Sequence, residues 1–351
     1  TVLGDAKLIT ESSFPIEQEG TEQIMQEEKS AENNNIHLQS ADVFTDDIKA
    51  ELMREQQNLY CFSMLEITQQ NVYTEILYAL ENYVDEMELS IKDTAQIDKI
   101  FQYVLMDHPE IFYTDGYSFV KYTLGDEVKK ITFKGTYIYT KEEKENRRIL
   151  VENAASRLLS QIPTDVSDYE KVKNVYEIII KNTEYDMEAE DNQNICSVLL
   201  NGASVCQGYA KTVQYLLTKL NIPSTLVIGT VENGEGHAWN LVRIDGEYYY
   251  VDVTWGDASY QLAGSQETGE LEQEQLPSIN YDYLCVTSEQ MTQTHTATAV
   301  VELPECTSMK ANYYVREGAY FTSLDTEAIR TLFEKGYASG STCVTLKCSS
   351  Q

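Results

Sequence analysis

Hydrophobic positions recur along most of the chain at two spacings, and each spacing predicts an element. From residue 206 to 220, Tyr209, Val213, Leu216, Leu217 and Leu220 fall three and four apart, which predicts a helix with one apolar face. Asn221 suits a C-terminal cap and Pro223 cannot continue a helix, so the helix ends there. Three β-rich runs follow at 225–231, 237–244 and 247–254. Asp245-Gly246, between the last two, is a strong two-residue hairpin signal. In that turn Ile244 faces Glu247, and counting outward, His237 faces Thr254. Asp252, two residues from that partner, then shares a face with His237, whereas a one-residue slip would separate them.

Upstream, helical periodicity runs over 67–84, with Ile76, Leu77, Leu80 and Tyr83 on one face, and over 93–106. Pro109 stops the second helix. Strands are predicted at 117–124 and 128–133 about a Gly125-Asp126 turn. Thr140 caps a charged helix over 141–162 whose apolar residues are Ile149, Leu150, Leu158 and Leu159. Ser167 and Glu170 form a capping box for the next helix, with Val172, Val175, Tyr176 and Ile179 as its buried stripe. Residues 184–191 read as a solvated acidic loop that shapes a cleft; they lack the Asp-x-Asp-x-Asp-Gly spacing of a calcium loop. Residues 258–277, rich in Gly, Ser, Gln and Glu, read as a mobile loop, and 281–286 as a strand. The C-terminal part reads as strand, helix at 326–335 and strand at 342–347. The polar, acidic beginning has little periodicity and reads as a disordered tether. The expected segments are therefore a tether at 1–45, an α+β domain at 46–140, a core at 141–300 and an α+β extension at 301–351.

Charge and composition narrow the function. Across 351 residues the net charge is −31, which repels phosphate backbones and excludes nucleic acid as a partner. No run approaches the ~20 apolar residues needed to cross a bilayer. The 25 tyrosines cluster in predicted strands, where aromatic residues pack well. Seven cysteines include no CxxC pair, and four scattered histidines complete no zinc spacing, so neither metal nor cofactor is expected.

The chemistry concentrates at 204–257. Cys206 falls on the first turn of the predicted helix, and a helix N-terminus with a neighbouring imidazolium favours the nucleophilic thiolate. Asp252 would hold the tautomer and orientation of His237, and the Cys206 N–H would act as an oxyanion donor. Gln193 and Asn194 are candidates for a second oxyanion donor, and Trp239 and Trp255 for packing beside the site. Taken singly, each of Cys206, His237 and Asp252 reads more readily as a small hydrophobe, a core histidine and a turn cap.

The runs SVCQGYA, GHAWNLV and VDVTWGD, in that order, resemble the core of the transglutaminase-like superfamily of Cys-His-Asp enzymes. The resemblance implies Cys206 as nucleophile, His237 as base and Asp252 as orienting acid. It also implies an α+β papain-like core with a helix-borne cysteine on an antiparallel sheet. The flanking DHPEIFY and YYVREGAYF runs resemble multi-domain surface proteins of Gram-positive bacteria, implying a chain exported to the cell envelope. The flanking sandwich domains of animal transglutaminases are not found. The expected function is thiol-dependent acyl transfer on amides, most simply hydrolysis of a peptide or cell-wall peptide. Two alternatives stay open: a transglutaminase with an amine acceptor, and a non-enzymatic adhesion or scaffold module with a vestigial triad.

Overall fold

The computed structural model describes residues 21–26 (as backbone), 44–124, 127–257, 278–298, 300–341 and 343–349. The chain divides into two compact units, one of residues 1–150 with 300–302 and one of residues 151–299 with 303–351.

The first unit holds strand β1 (Thr21–Gln26), helices α1 (Asp46–Gln56), α2 (Tyr60–Ser63) and α3 (Ile67–Asn82), strand β2 (Met87–Glu88) and helix α4 (Ile97–Asp107). Strands β3 (Thr114–Leu124) and β4 (Glu127–Tyr137) follow, then helix α5 (Lys141–Leu159), within which the division between units falls. The sheet order is β1-β3-β4-β2, with β1 parallel to β3 and the β3/β4 and β4/β2 pairs antiparallel. The tether expectation is therefore corrected at Thr21–Gln26, where backbone pairing with the edge of β3 supplies the partners that composition does not reveal. The predicted Gly125-Asp126 turn and the rest of the first 43 residues lie outside the described residues.

Helix α5 opens with the predicted Thr140 cap: the Glu143 N–H donates to Thr140 Oγ1 and the Thr140 N–H to Glu143 Oε2. Its buried face differs from the expected one. Val151, Ala154, Ala155 and Leu158 are buried, whereas Ile149 and Leu150 are exposed. The buried set keeps strict three-and-four spacing, and its two alanines carry too little bulk to stand out in a reading weighted toward large residues.

The second unit adds helix α6 (Asp168–Asn182), short parallel strands β5 (Glu184–Tyr185) and β6 (Ala203–Ser204), and helix α7 (Cys206–Lys219). Strands β7 (Ser224–Val231), β8 (Gly236–Ile244) and β9 (Glu247–Val251), helix α8 (Val253–Gly256) and strands β10 (Leu284–Val286) and β11 (His295–Ala297) follow. Beyond them lie β12 (Tyr320–Phe321), helix α9 (Thr326–Ala338) and β13 (Lys347–Cys348). The predicted capping box opens α6, with Ser167 Oγ and the Glu170 carboxylate exchanging bonds with each other's N–H groups. The acidic stretch expected to be all loop begins as β5, paired with β6.

Five strands form an antiparallel sheet in the order β10-β9-β8-β7-β11, with α7 packed on β7 and β8. The fold class is thus α+β, with a helix-borne cysteine against an antiparallel sheet. Helix α7 buries Tyr209, Val213, Leu216 and Leu217, and Asn221 takes the left-handed conformation at its end, φ 58°. The β8/β9 register is the one that the Asp245-Gly246 turn predicts, with Ile244 opposite Glu247 and Asn240 opposite Val251. Positive φ at both turn residues, 50° and 86°, matches a twisted two-residue hairpin. Strand β9 stops at Val251, short of the predicted Thr254, because the Asp252 side chain caps α8 instead. No helix among the described residues is long and apolar enough to cross a membrane.

Candidate active site

Cys206 is the first residue of α7 and follows the extended Val205, and no side chain caps this helix. Early helical N–H groups lack intrahelical acceptors, so those at the start of α7 surround the sulfur-bearing residue with donors. The helix start is seated on the preceding segment. Ser204 Oγ donates to the Asn192 carbonyl at 2.9 Å and pairs with Ser197 Oγ at 2.6 Å. A Cβ at Gly208 would collide with these same atoms, so glycine lets the helix approach. From the sheet side, Asn240 Nδ2 of β8 donates to the Ala210 carbonyl at 2.9 Å, which ties the cysteine helix to the histidine strand.

His237 sits near the start of β8 and is buried. Its Nε2 lies 2.7 Å from Asp252 Oδ2, and the Cys206 side chain hydrogen-bonds the ring. Since Nε2 is taken by Asp252, the cysteine meets Nδ1. Burial pushes the imidazole's pKa down, but the Asp252 carboxylate and Cys206 outweigh it and raise the value to about 10. Burial likewise pushes Asp252 up, but His237 and then His295 hold its carboxyl well below the usual range. The structure thus brings Cys206 and Asp252 to the same histidine, His237, inside the second unit.

A fourth residue joins them. His295 opens β11, is buried, and places Nε2 3.0 Å from the same Asp252 Oδ2. Sequence reasoning missed it, because His295 lies 43 residues beyond Asp252 and enters through a strand added at the far edge of the sheet. Gly229 permits that addition: its Cβ would strike the Thr296 carbonyl and the Trp239 ring. Asp252 Oδ1 accepts from the N–H groups of Thr254 and Trp255 at 3.0 and 3.1 Å. Four donors therefore occupy a carboxylate that offers about four lone-pair sites. His237, Asp252 and His295 also present ligand atoms within 4.8 Å of one another, close enough to hold a cation.

Trp239 and Trp255 pack beside the site, with rings 6.0 and 6.1 Å from His237 and 5.0 and 4.7 Å from His295. Of the two candidate amides, Asn194 serves its own turn, its Oδ1 accepting from the Cys196 N–H at 2.8 Å, and Gln193 is half-buried next to it. Asn192, between the acidic stretch and these amides, meets the segment leading into α7, its carbonyl accepting the Val205 N–H at 3.4 Å. The expected mobile loop at 258–277 lies outside the described residues.

Residues 156–253 match the model of the transglutaminase-like superfamily. The kyphoscoliosis peptidase of Mus musculus is 26% identical over 148 residues, covering 37% of this chain and 22% of that protein. The chain therefore spans about a fifth of that relative's length. A solved transglutaminase overlaps 47% of this chain and 57% of its own at 15% identity and a TM-score of 0.30. A candidate cysteine protease from Cytophaga hutchinsonii overlaps 36% and 54% at 15% identity and a TM-score of 0.27.

Proposed function

From the transglutaminase-like core that residues 156–253 carry, we propose that this chain catalyses thiol-dependent acyl transfer on amides, with water as the acceptor. The reading is supported by the 2.7 Å contact of His237 with Asp252 and by the action of Cys206, at the start of α7, on the same ring. In the proposed reaction the Cys206 thiol passes its proton to His237 Nδ1 and its sulfur attacks the acyl carbon of an amide. The S–C bond forms and the carbonyl oxygen takes the charge, stabilised by the Cys206 N–H at the start of α7. Gln193 and Asn194 are candidates for a second donor there. The C–N bond breaks as His237 Nδ1 gives its proton to the departing amine. Water then attacks the thioester, His237 takes its proton, and the S–C bond breaks to release the acid. Asp252 stays ionised and orients His237.

Two observations favour water and a peptide substrate. Most of the acidic stretch at 184–191 is exposed, so a hydrated wall borders the segment leading to α7. One partial relative is a peptidase by name. Export to the cell envelope and action on cell-wall peptide belong to the same proposal. Two experiments test it. Mapping of an electrophilic thiol probe should find Cys206, and labelling spread evenly over Cys206, Cys343 and Cys348 would remove the nucleophile. Incubation with a glutamine-containing peptide library and a tagged primary amine should yield cleavage or deamidation. Dominant amine incorporation would make the acceptor an amine and keep the triad.

A further inference from the structure

We infer that His295 is a positioning residue that shares the Asp252 carboxylate with His237 and so sets how strongly His237 holds its proton. This rests on the proposed roles of Cys206, His237 and Asp252, but it concerns a fourth side chain that the acyl-transfer scheme does not use.

Both imidazoles point Nε2 at one oxygen, Oδ2, at 2.7 Å for His237 and 3.0 Å for His295. An ionised carboxylate only accepts, so both nitrogens carry hydrogen. The other side of His295 is also held. Its Nδ1 lies 2.7 Å from Thr294 Oγ1, and Tyr283 hydrogen-bonds the Thr294 side chain. One assignment that satisfies these contacts runs from the Thr294 O–H to His295 Nδ1 and from His295 Nε2–H to Asp252. His295 is thereby fixed at both ring nitrogens, with Nε2–H donating to Asp252.

That donor has an electrostatic consequence. Each hydrogen bond that a carboxylate accepts stabilises its charge and weakens its pull on any other proton. With His295 in place, Oδ2 divides its acceptance between two rings. Without it, the same oxygen would bind the His237 imidazolium more strongly. The remaining titratable groups about Asp252 are few. Tyr176 of α6 donates to the Asn280 carbonyl and is held neutral by burial. Burial, then Asp252, Asp282 and Glu232, raises Tyr283 to about 12 despite its bond to Thr294. Neither phenol ionises where His237 does, and Cys206 acts on the other face of the His237 ring. The three groups are also close enough for a cation, but both contacts to Oδ2 are hydrogen-bond distances and the tautomer chain occupies both nitrogens of His295.

The test is the titration of the His237 ring nitrogens by 15N NMR in the full chain, which needs no substrate. His295→Phe keeps an aromatic ring and removes the donor, and should move the His237 midpoint upward by roughly half to one pH unit. His295→Gln restores an N–H donor and should return the midpoint most of the way. Thr294→Val frees the His295 tautomer and should give a smaller upward shift, which keeps the test available should His295→Phe not fold. An unmoved midpoint in folded His295→Phe, or in Thr294→Val, overturns the inference. Gln behaving as Phe also overturns it, since the role would then be shape alone. Stoichiometric Zn2+ binding that His295→Gln abolishes overturns it in favour of a metal centre. Because the titration is read without turnover, an inert Cys206 would defeat the acyl-transfer reading and leave this result legible.

Discussion

Each unit buries a cysteine, an aspartate and a histidine, yet the two sets are wired differently. In the first unit, Asp107 accepts from the N–H groups of Cys61 and Phe62 at 3.0 and 2.8 Å and from the Tyr73 hydroxyl at 3.1 Å. Its neighbour His108 turns to Glu110 instead, with Nδ1 2.8 Å from the carboxylate. Cys61 thus meets the aspartate through its backbone N–H. In the second unit, Asp252 also accepts two N–H groups at a helix start, but its other oxygen takes two imidazoles, and one of these reaches the cysteine side chain. Burial raises the Asp107 carboxyl despite its donors and the nearby charge of His108, whereas the two histidines outweigh burial at Asp252 and lower it. Residue types and burial match in the two places. The side chain to which each carboxylate points separates a folding device from a candidate catalytic one.

That contrast breaks most decisively at the cysteines. Cys206→Ala should reduce acyl transfer by about 10^4–10^6-fold, while Cys61→Ser in the first unit should leave it within about twofold, as read from deamidation or cleavage rates. Equal losses would erase the distinction between the units. Next come the two partners of Cys206. His237→Ala should cost about as much as Cys206→Ala, and Asp252→Ala about a hundredfold less, since the acid acts through orientation. Wild-type rates in Asp252→Asn would mean that the acid is misassigned.

Stability sharpens the comparison further. Asp252→Ala strands two buried imidazoles and two helix N–H groups and should lower unfolding free energy by about 3–5 kcal/mol. Asp107→Ala strands two backbone N–H groups and a phenol and should cost about 1–3 kcal/mol, both read from urea midpoints.

The smallest effect is a difference of sign in pH dependence. His237 is raised to about 10, so its contribution is complete below its unfolded value of ~6.5 and fades as pH rises toward 10. Asp252 is lowered, so its contribution is present above its unfolded value of ~3.9 and is lost as pH falls below that. Their joint contribution peaks between about pH 4 and 6.5. Asp107 is raised, so its contribution is complete below ~3.9 and declines as pH rises through its folded value. The midpoint deficit of Asp252→Asn should therefore grow on leaving acid pH, and that of Asp107→Asn should shrink. Parallel trends in the two variants would show that the carboxylates are held alike.

What the sequence determined by itself was local. The capping box of α6, the left-handed Asn221 and the start of α7 at Cys206 follow from backbone rules acting within a few residues. The Asp245-Gly246 turn, through the two-residue period of a strand, set the β8/β9 register and with it the shared side of His237 and Asp252. Periodicity was less informative on α5, where Leu158 is buried as expected but Val151 and two alanines complete the face, and Ile149 and Leu150 lie exposed. Only the tertiary structure decided what arrives from a distance. The strand Thr21–Gln26 exists by pairing with β3, and neither its composition nor its spacing marks it. His295 reaches Asp252 because β11 adds to the edge of β7, across a glycine that leaves room for it. A side chain 43 residues away carries no periodic trace of its partner, since the distance between them is set by sheet order and not by chain spacing.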